Sequence, residues 1–413
     1  MNEIGAQART PRFIELDSLR GLAALTVVLF HFQGVWVQDV QPTSTAVRSL
    51  LMQVGPFGIE AVMLFFVLSG FVLSLPAISG RPQTYFTFAV RRIFRIYVPY
   101  LAAIAVSVAG AYWLHGTVTR SAWFHASWSE PVSWRLVGQH LLFVGVYYTN
   151  QFDNPIWSLV QEMRISLVFP LLCWLVLRLK SRWSFAIIAG LEAIALALNK
   201  VPIPTGWRVY PSFHFASFFV LGIFLARERD RLRVCFHRFP RFARILIGVM
   251  CLWLYLFASE RFKLIAGYRF GSATMDISQW ITALGAGGLI IVSLNSAWCH
   301  KILSWSPIHF LGQVSYSLYL WHCVVLLYCV HLLYGRMPLG AIMCLSLVLT
   351  FSVSWCSWRF IELPSIALGR RLSDIRRGRL EKVKTHAAGD LQPVSKQGID
   401  ASDGNSVDGT SPA

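Results

Sequence analysis

Charge is scarce in this chain, and negative charge scarcest: charged residues make up 14% of 413 positions, with 20 Asp and Glu against 37 Lys and Arg. An ordinary soluble domain carries about a quarter charged residues, so water is not the main solvent of this protein. The 8 cysteines form no C-x-x-C pair and most fall inside apolar runs. That argues against a disulfide framework or a zinc site and for small core side chains. The alternating ten-residue pattern of a membrane barrel is missing, which leaves helices as the spanning elements. No internal repeat is evident either, which weighs against a transporter of the inverted-repeat type.

Apolar residues fill the space. They make up 55% of the chain, and the mean hydropathy is +0.54. Nearly uncharged runs recur that are long enough to cross a hydrocarbon core about 30 Å thick at about 1.5 Å per residue. They predict an all-α polytopic membrane helix bundle with about ten transmembrane helices, over 16–36, 57–77, 96–114, 157–178, 183–199, 210–226, 243–259, 278–295, 309–334 and 339–360. The net charge of +17 does not point to nucleic acid, because the basic residues are spread over short loops. With the N-terminus in the cytoplasm, Arg91, Arg92, Arg95, the loop from Arg227 to Arg244 and the stretch after Arg359 all fall on the cytoplasmic side, as the positive-inside rule demands.

The first apolar run follows Arg9, Arg12 and Arg20 without a small-residue cleavage site, and reads as a first span. The loop near 115–138 carries Trp123, Trp128 and Trp134, suited to interfacial anchoring or sugar stacking. His140 to Asn150 is too short to span and is expected to lie at the interface or re-enter. Residues 1–365 read as one integral-membrane domain. The remainder, 366–413, reads as a basic and then disordered cytoplasmic tail, since from about Lys384 it is too polar to bury a core.

Within this frame a few polar residues stand out. Eleven helical residues separate Arg20 from His31, three turns plus about 20°, so the two share a face about 16 Å apart, with Asp17 beside Arg20 at i, i+3. An ionisable side chain inside a span is costly and usually faces a cavity or a partner. Arg92 and Arg95 stand at the start of the third span, where guanidinium forks suit phosphate, although topology alone also places basic residues there. Glu162 and Arg164, spaced i, i+2, point in different directions and are each expected to find a partner on another helix. A structural ion pair is as good a reading of Glu162 as a catalytic one. Ser315 to His322 opens the ninth span, with His322 at mid depth facing the same cavity as His31. Tyr316, Tyr319, His309 and His331 read as packing or interfacial residues.

Taken together these motifs resemble the acyltransferase-3 family, multi-span proteins that include O-antigen, exopolysaccharide and Nod-factor acetylases. The marks are Leu16-Asp17-Ser18-Leu19-Arg20-Gly21 with His31, Phe65-Phe66-Val67-Leu68-Ser69-Gly70-Phe71, Arg92-x-x-Arg95, Trp157-Ser158-Leu159 with Glu162 and Pro170, Ser315 to His322, and Glu362-Leu363-Pro364. The chain departs from the pattern at Ser18, Met63 and Met163, and Glu60 is the candidate to replace the charge missing at Met63. The resemblance implies an acyltransferase of the bacterial inner membrane with both termini cytoplasmic. Its donor would be acetyl-CoA or another acyl-CoA, and its acceptor a carbohydrate or lipid-linked glycan. His31, Arg20 and Glu162 are the expected catalytic residues, and Arg92 and Arg95 the donor-binding ones. Asp17, Ser69, Arg164, Tyr316 and His322 are expected in support. No resident cofactor or metal is expected, and the lipid bilayer and polysaccharide-assembly proteins are the expected partners. The alternatives are a lipid-linked sugar flippase or small-solute transporter, and a membrane scaffold.

Overall fold

A computed structural model describes residues 13–40, 57–116, 127–145, 148–201, 209–259, 262–263 and 273–375. Trp123 and the tail from residue 376 lie outside the described residues. In chain order the helices are α1 (Ile14–Val40), α2 (Gly58–Ile78), α3 (Tyr85–Leu114), α4 (Trp134–Leu142), α5 (Ile156–Arg178), α6 (Trp183–Lys200), α7 (Tyr210–Arg238), α8 (Arg241–Trp253), α9 (Ala273–Asn295), α10 (Ala297–Leu303), α11 (Ser306–Leu333) and α12 (Leu339–Ser357). A 3-10 turn, Thr149–Gln151, precedes α5, and π turns extend α8 to Ala258 and α12 to Glu362. No β-strand is present among the described residues.

Nine helical segments among the described residues are long and apolar enough to cross a membrane. The tenth expected span, 210–226, falls on α7, whose second half is too charged to count by composition. It nevertheless lies along α5, which does count. Near its start Ser212 hydrogen-bonds Gln161 of α5 at 2.6 Å, and Arg227 reaches the carbonyls of Val176 and Leu179 at the far end of α5, each at 2.7 Å. The two helices therefore run side by side for about 22 Å.

Two backbone-to-backbone contacts set the centre of the bundle. Gly70 of α2 lies against the Phe219 backbone of α7, and Gly222 of α7 against Val67 and Phe71 of α2. Gly21 of α1 and Gly312 of α11 meet in the same way, with Gly312 against the carbonyl of Asp17. In lipid, where burial of apolar area gives little drive between helices, such close approach is what dispersion needs. It also accounts for Gly70 in the Phe65–Phe71 motif, whose Phe66 stacks on Phe215 with ring centroids 4.6 Å apart. A Cβ on Gly312 has no space, so Gly312→Val is expected to force α1 and α11 apart, at a cost of about 1–3 kcal/mol. Thermal unfolding of the purified protein checks this, with Gly190→Val of α6 as comparison, since a Cβ at Gly190 meets only open space.

The short helix α4 belongs to a re-entrant segment. Tyr100 Oη donates to the carbonyl of His140 at 3.1 Å, Tyr97 Oη to that of Leu141, and Arg164 to those of Val144 and Gly145. Tyr97 and Tyr100 sit near the middle of α3, so the end of α4 reaches well into the bundle. Of His140 to Asn150, the part up to Gly145 folds back against the bundle, while residues 146–147 lie outside the described residues. The tryptophans of the adjoining loop part company: Trp128 is buried, its Nε1 donating to Ser107 Oγ at 3.0 Å, so it cannot stack on a sugar, whereas Trp134 is 69% exposed. His331, expected at the interface, is buried against Trp128 with centroids 5.4 Å apart.

Candidate active site

α1 and α11 start on the same face of the bundle, called here the first face. On that scale Arg20 lies about 9 Å along α1 and His31 about 25 Å, close to mid-membrane. The shallower level is an electrostatic cluster. Arg92 of α3 is buried and its guanidinium donates to Glu162 Oε1 at 2.7 Å and to Ser166 Oγ at 2.9 Å, both on α5. Glu162 Oε1 also accepts from Ser69 Oγ of α2 at 3.3 Å, so three helices meet at one carboxylate. Arg20 pairs with Asp17 at 3.5 Å, and its charge is felt together with those of Arg95, Glu162 and Arg92. Arg95, one turn beyond Arg92, is exposed and donates no hydrogen bond to any described residue.

Other residues complete this level. Tyr316 Oη donates to the carbonyl of Ile96 at 2.7 Å. Glu362, buried on the π turn after α12, accepts from Ser317 Oγ at 2.8 Å and lies within reach of the charges of Arg95 and Arg20. Widened π turns often mark functional positions because they swing a side chain inward. Glu362 was legible only as part of a motif. Glu60 does not join the cluster: it is buried at the opposite end of α2, facing Tyr255. The charge absent at Met63 is thus not replaced from there.

The deeper level is a histidine pair. His322 Nε2 and His31 Nδ1 stand 3.1 Å apart, with His31 8% exposed and His322 fully buried. Their tautomers follow from the acceptors. A carbonyl cannot donate, so His31 Nδ1–H must point at Val27 O, 3.0 Å away, and His322 Nδ1–H at Leu318 O, 3.2 Å away. The His31 proton is then shared between Val27 O and the lone pair of His322 Nε2, which leaves His31 Nε2 as the basic atom. Tyr319 stacks edge-on near His322, centroids 5.9 Å apart, and its hydroxyl meets Ser158 Oγ at 2.6 Å. It is a buried member of this site rather than an interfacial residue.

Of the two readings of Glu162, the geometry is that of the ion pair: its partners are Arg92 and Ser69, and the group beside the His31 ring is His322. Arg164, expected in support, donates to the Val144 and Gly145 carbonyls and to Ser212 Oγ at 3.3 Å. As expected from their spacing, Glu162 and Arg164 do find partners on different elements. Arg164→Ala is expected to release the re-entrant segment, read as at least about tenfold faster amide exchange over 141–152. Unchanged exchange there would remove Arg164 from this role.

His31, His322 and Cys323 bring one donor atom each within 4.8 Å of one another, a nitrogen and sulfur set suited to a soft cation. Spacing along the chain did not show this set, because His31 comes from another helix. The chemistry of the pair itself is that of a base backed by a hydrogen-bond acceptor, in a dry site, with cations a helix-length of about 16 Å away.

Residues 13–359 match the family model described as an acyltransferase domain. The chain belongs to the acyltransferase-3 family. Among curated proteins, the Bacillus subtilis (strain 168) protein YrhL, whose name proposes a peptidoglycan O-acetyltransferase, is 25% identical over 89% of this chain and 57% of its own length. The peptidoglycan O-acetyltransferase OatA of Listeria monocytogenes serovar 1/2a (strain ATCC BAA-679 / EGD-e) is 25% identical over 84% of this chain and 55% of its own. The chain thus spans little more than half the length of the curated relatives it matches. No solved structure matches it significantly. In family terms, the Arg-x10-His pattern falls on Arg20 and His31 and the Arg-x-x-Arg pattern on Arg92 and Arg95, the residues that make up the two levels described above.

Proposed function

We propose that this acyltransferase-3 protein transfers an acetyl group from acetyl-CoA to a hydroxyl of an envelope carbohydrate, with its first face and both termini in the cytoplasm of a bacterial inner membrane. The observation that carries the reading is the arrangement in depth: guanidinium groups at the shallow level, a buried histidine base beneath them. Acyl-CoA has the matching shape, with phosphates at one end and a thioester at the end of a long thin arm. Arg95, exposed and without a partner among the described residues, and Arg20 supply charge for the phosphates, with Arg92 held in place by Glu162 adding to the field.

The arm carries the thioester down to His31. There Nε2 takes the proton of the acceptor hydroxyl as its oxygen attacks the thioester carbonyl. The C–S bond breaks, and the imidazolium returns the proton to the departing thiolate, so no net proton is gained or lost. While His31 is positive, its Nδ1–H points at the His322 lone pair, which favours the charged form when it is needed. His322 is a positioning residue in this scheme. Trapping of acetylated protein from donor alone would instead make His31 the nucleophile.

The test is the O-acetyl content of envelope glycans, peptidoglycan first because the named relatives point there, in a strain lacking the gene and in the same strain complemented with it. Acetyl esters that appear only with the gene support the reading and reveal the acceptor. Identical glycans in the two strains would sink it and turn attention to flipping or transport.

A further inference from the structure

Asp153, in the turn between Thr149–Gln151 and α5, is 0% exposed, and neither carboxyl oxygen has a hydrogen-bond partner among the described residues. Almost every buried polar side chain is paired, and an orphan calls for a ligand, a water or a function. Its backbone is ordinary: the N–H donates to Thr149 O at 3.2 Å and the carbonyl accepts from Ile156 N at 3.3 Å. The side chain alone is left over. Its position is not arbitrary, because its charge is felt at Tyr319 and Cys323, the residues flanking His322 on α11. From His31 a line of polar groups therefore runs through His322, Tyr319 and Ser158 toward Asp153. It passes Ser158, one turn from Glu162 on α5, and ends at Asp153 just before the N-terminal end of α5, on the side of Ser158 away from Glu162 and Arg92.

We infer that Asp153 is an acceptor-binding residue, anchoring a carbohydrate that presents its hydroxyl to His31 from the N-terminal end of α5. This deepens the proposed transfer and rests on it. Burial raises the carboxyl above the usual carboxylate range, and a protonated carboxyl offers one donor and one acceptor oxygen. That is the complement of a vicinal diol or of a hydroxyl beside an amide, the groups by which sugars are recognised. The turn just before it is tied down by Trp128 N to Gln151 O at 3.1 Å and Gln151 Nε2 to Glu130 O at 3.1 Å.

Two substitutions separate an anchor from an unfavourable bystander. Asp153→Leu has similar bulk and no polar atom, and removing an unsatisfied buried group leaves stability equal or higher; Asp153→Asn keeps one donor and one acceptor. The full chain is expressed in the null strain, glycan O-acetyl content is measured, and the purified proteins are tested for melting temperature and for binding of acetyl-CoA. The expected result is that Asp153→Leu melts no lower and binds acetyl-CoA as wild type does, yet lowers glycan acetylation about tenfold or more, the worth of one good hydrogen-bonded pair. Asp153→Asn keeps most of it. Full acetylation by Asp153→Leu would overturn the inference, as would loss of acetyl-CoA binding or of melting temperature in parallel with activity in both variants. Absence of glycan acetylation in the wild type would instead overturn the transfer reading itself, so the two failures are distinguishable.

Discussion

His31→Ala is expected to lower acetyl transfer by about 10²–10⁴-fold, the range a positioned general base supplies, while leaving the protein in the membrane at the wild-type level. The argument is local. His31 is the residue with a basic ring nitrogen at the level a thioester would reach, and its other nitrogen is committed to Val27 O and His322. Removing the ring takes away the base that faces the thioester and leaves only His322 Nε2, set back behind it. His322→Ala is expected to cost less, about 10–100-fold, because the base remains and only its tautomer and the stability of its charged form suffer. His322→Asn, which can still offer an oxygen to His31 Nδ1–H, is expected to recover part of that loss. Rates for the three variants, each with acetyl-CoA binding measured alongside, check the order. A His322→Ala protein as impaired as His31→Ala would make His322 more than a positioning residue, and a fully active one would remove it.

The second large effect concerns the pair Arg92–Glu162. Both side chains are largely withdrawn from solvent, at 11% and 20% exposure. Breaking such a pair from one side leaves an uncompensated charge, at a cost of about 3–5 kcal/mol. Glu162→Ala and Arg92→Ala are therefore each expected to accumulate poorly and to melt early. Replacing both partners by apolar residues, Arg92→Met with Glu162→Met, removes the orphan charge and is expected to restore much of the stability. It does not restore the field that the arginines present to the donor, so the double variant is expected to fold yet need a higher acetyl-CoA concentration. Melting temperatures of the two single variants and the double close the cycle. If the double variant melts as low as the worse single one, the pair is not the unit argued here.

These two predictions rest on different amounts of sequence information. Periodicity and hydropathy were enough for the helices, since in a bilayer a long apolar run has few alternatives. The shared face of Arg20 and His31 followed from helix geometry alone. Pairings between helices did not. Nothing along the chain distinguishes Glu162 paired with Arg92 from Glu162 paired with His31, because the choice depends on the depth at which α3 and α5 cross. Likewise His322 looked like a cavity residue, but its 3.1 Å approach to His31 depends on Gly21 and Gly312 letting two backbones touch. The partners of Arg164 were not legible because carbonyls of an irregular segment carry no side-chain signature. Asp153 was missed for the opposite reason: an Asp before Asn-Pro reads as an ordinary turn, and only burial reveals that it lacks a partner.

The central claim, that acetyl-CoA gives up its acetyl group at the histidine pair, is tested most directly in sealed vesicles carrying the full chain. Labelled acetyl-CoA is supplied to one face and both the label in carbohydrate and the free thiol released are counted. The account predicts one thiol for each glycan acetyl ester, only when donor meets the face bearing Arg20 and Arg95, and neither product with His31→Ala. Esters formed at the wild-type rate by His31→Ala, or from donor on the opposite face alone, would contradict it.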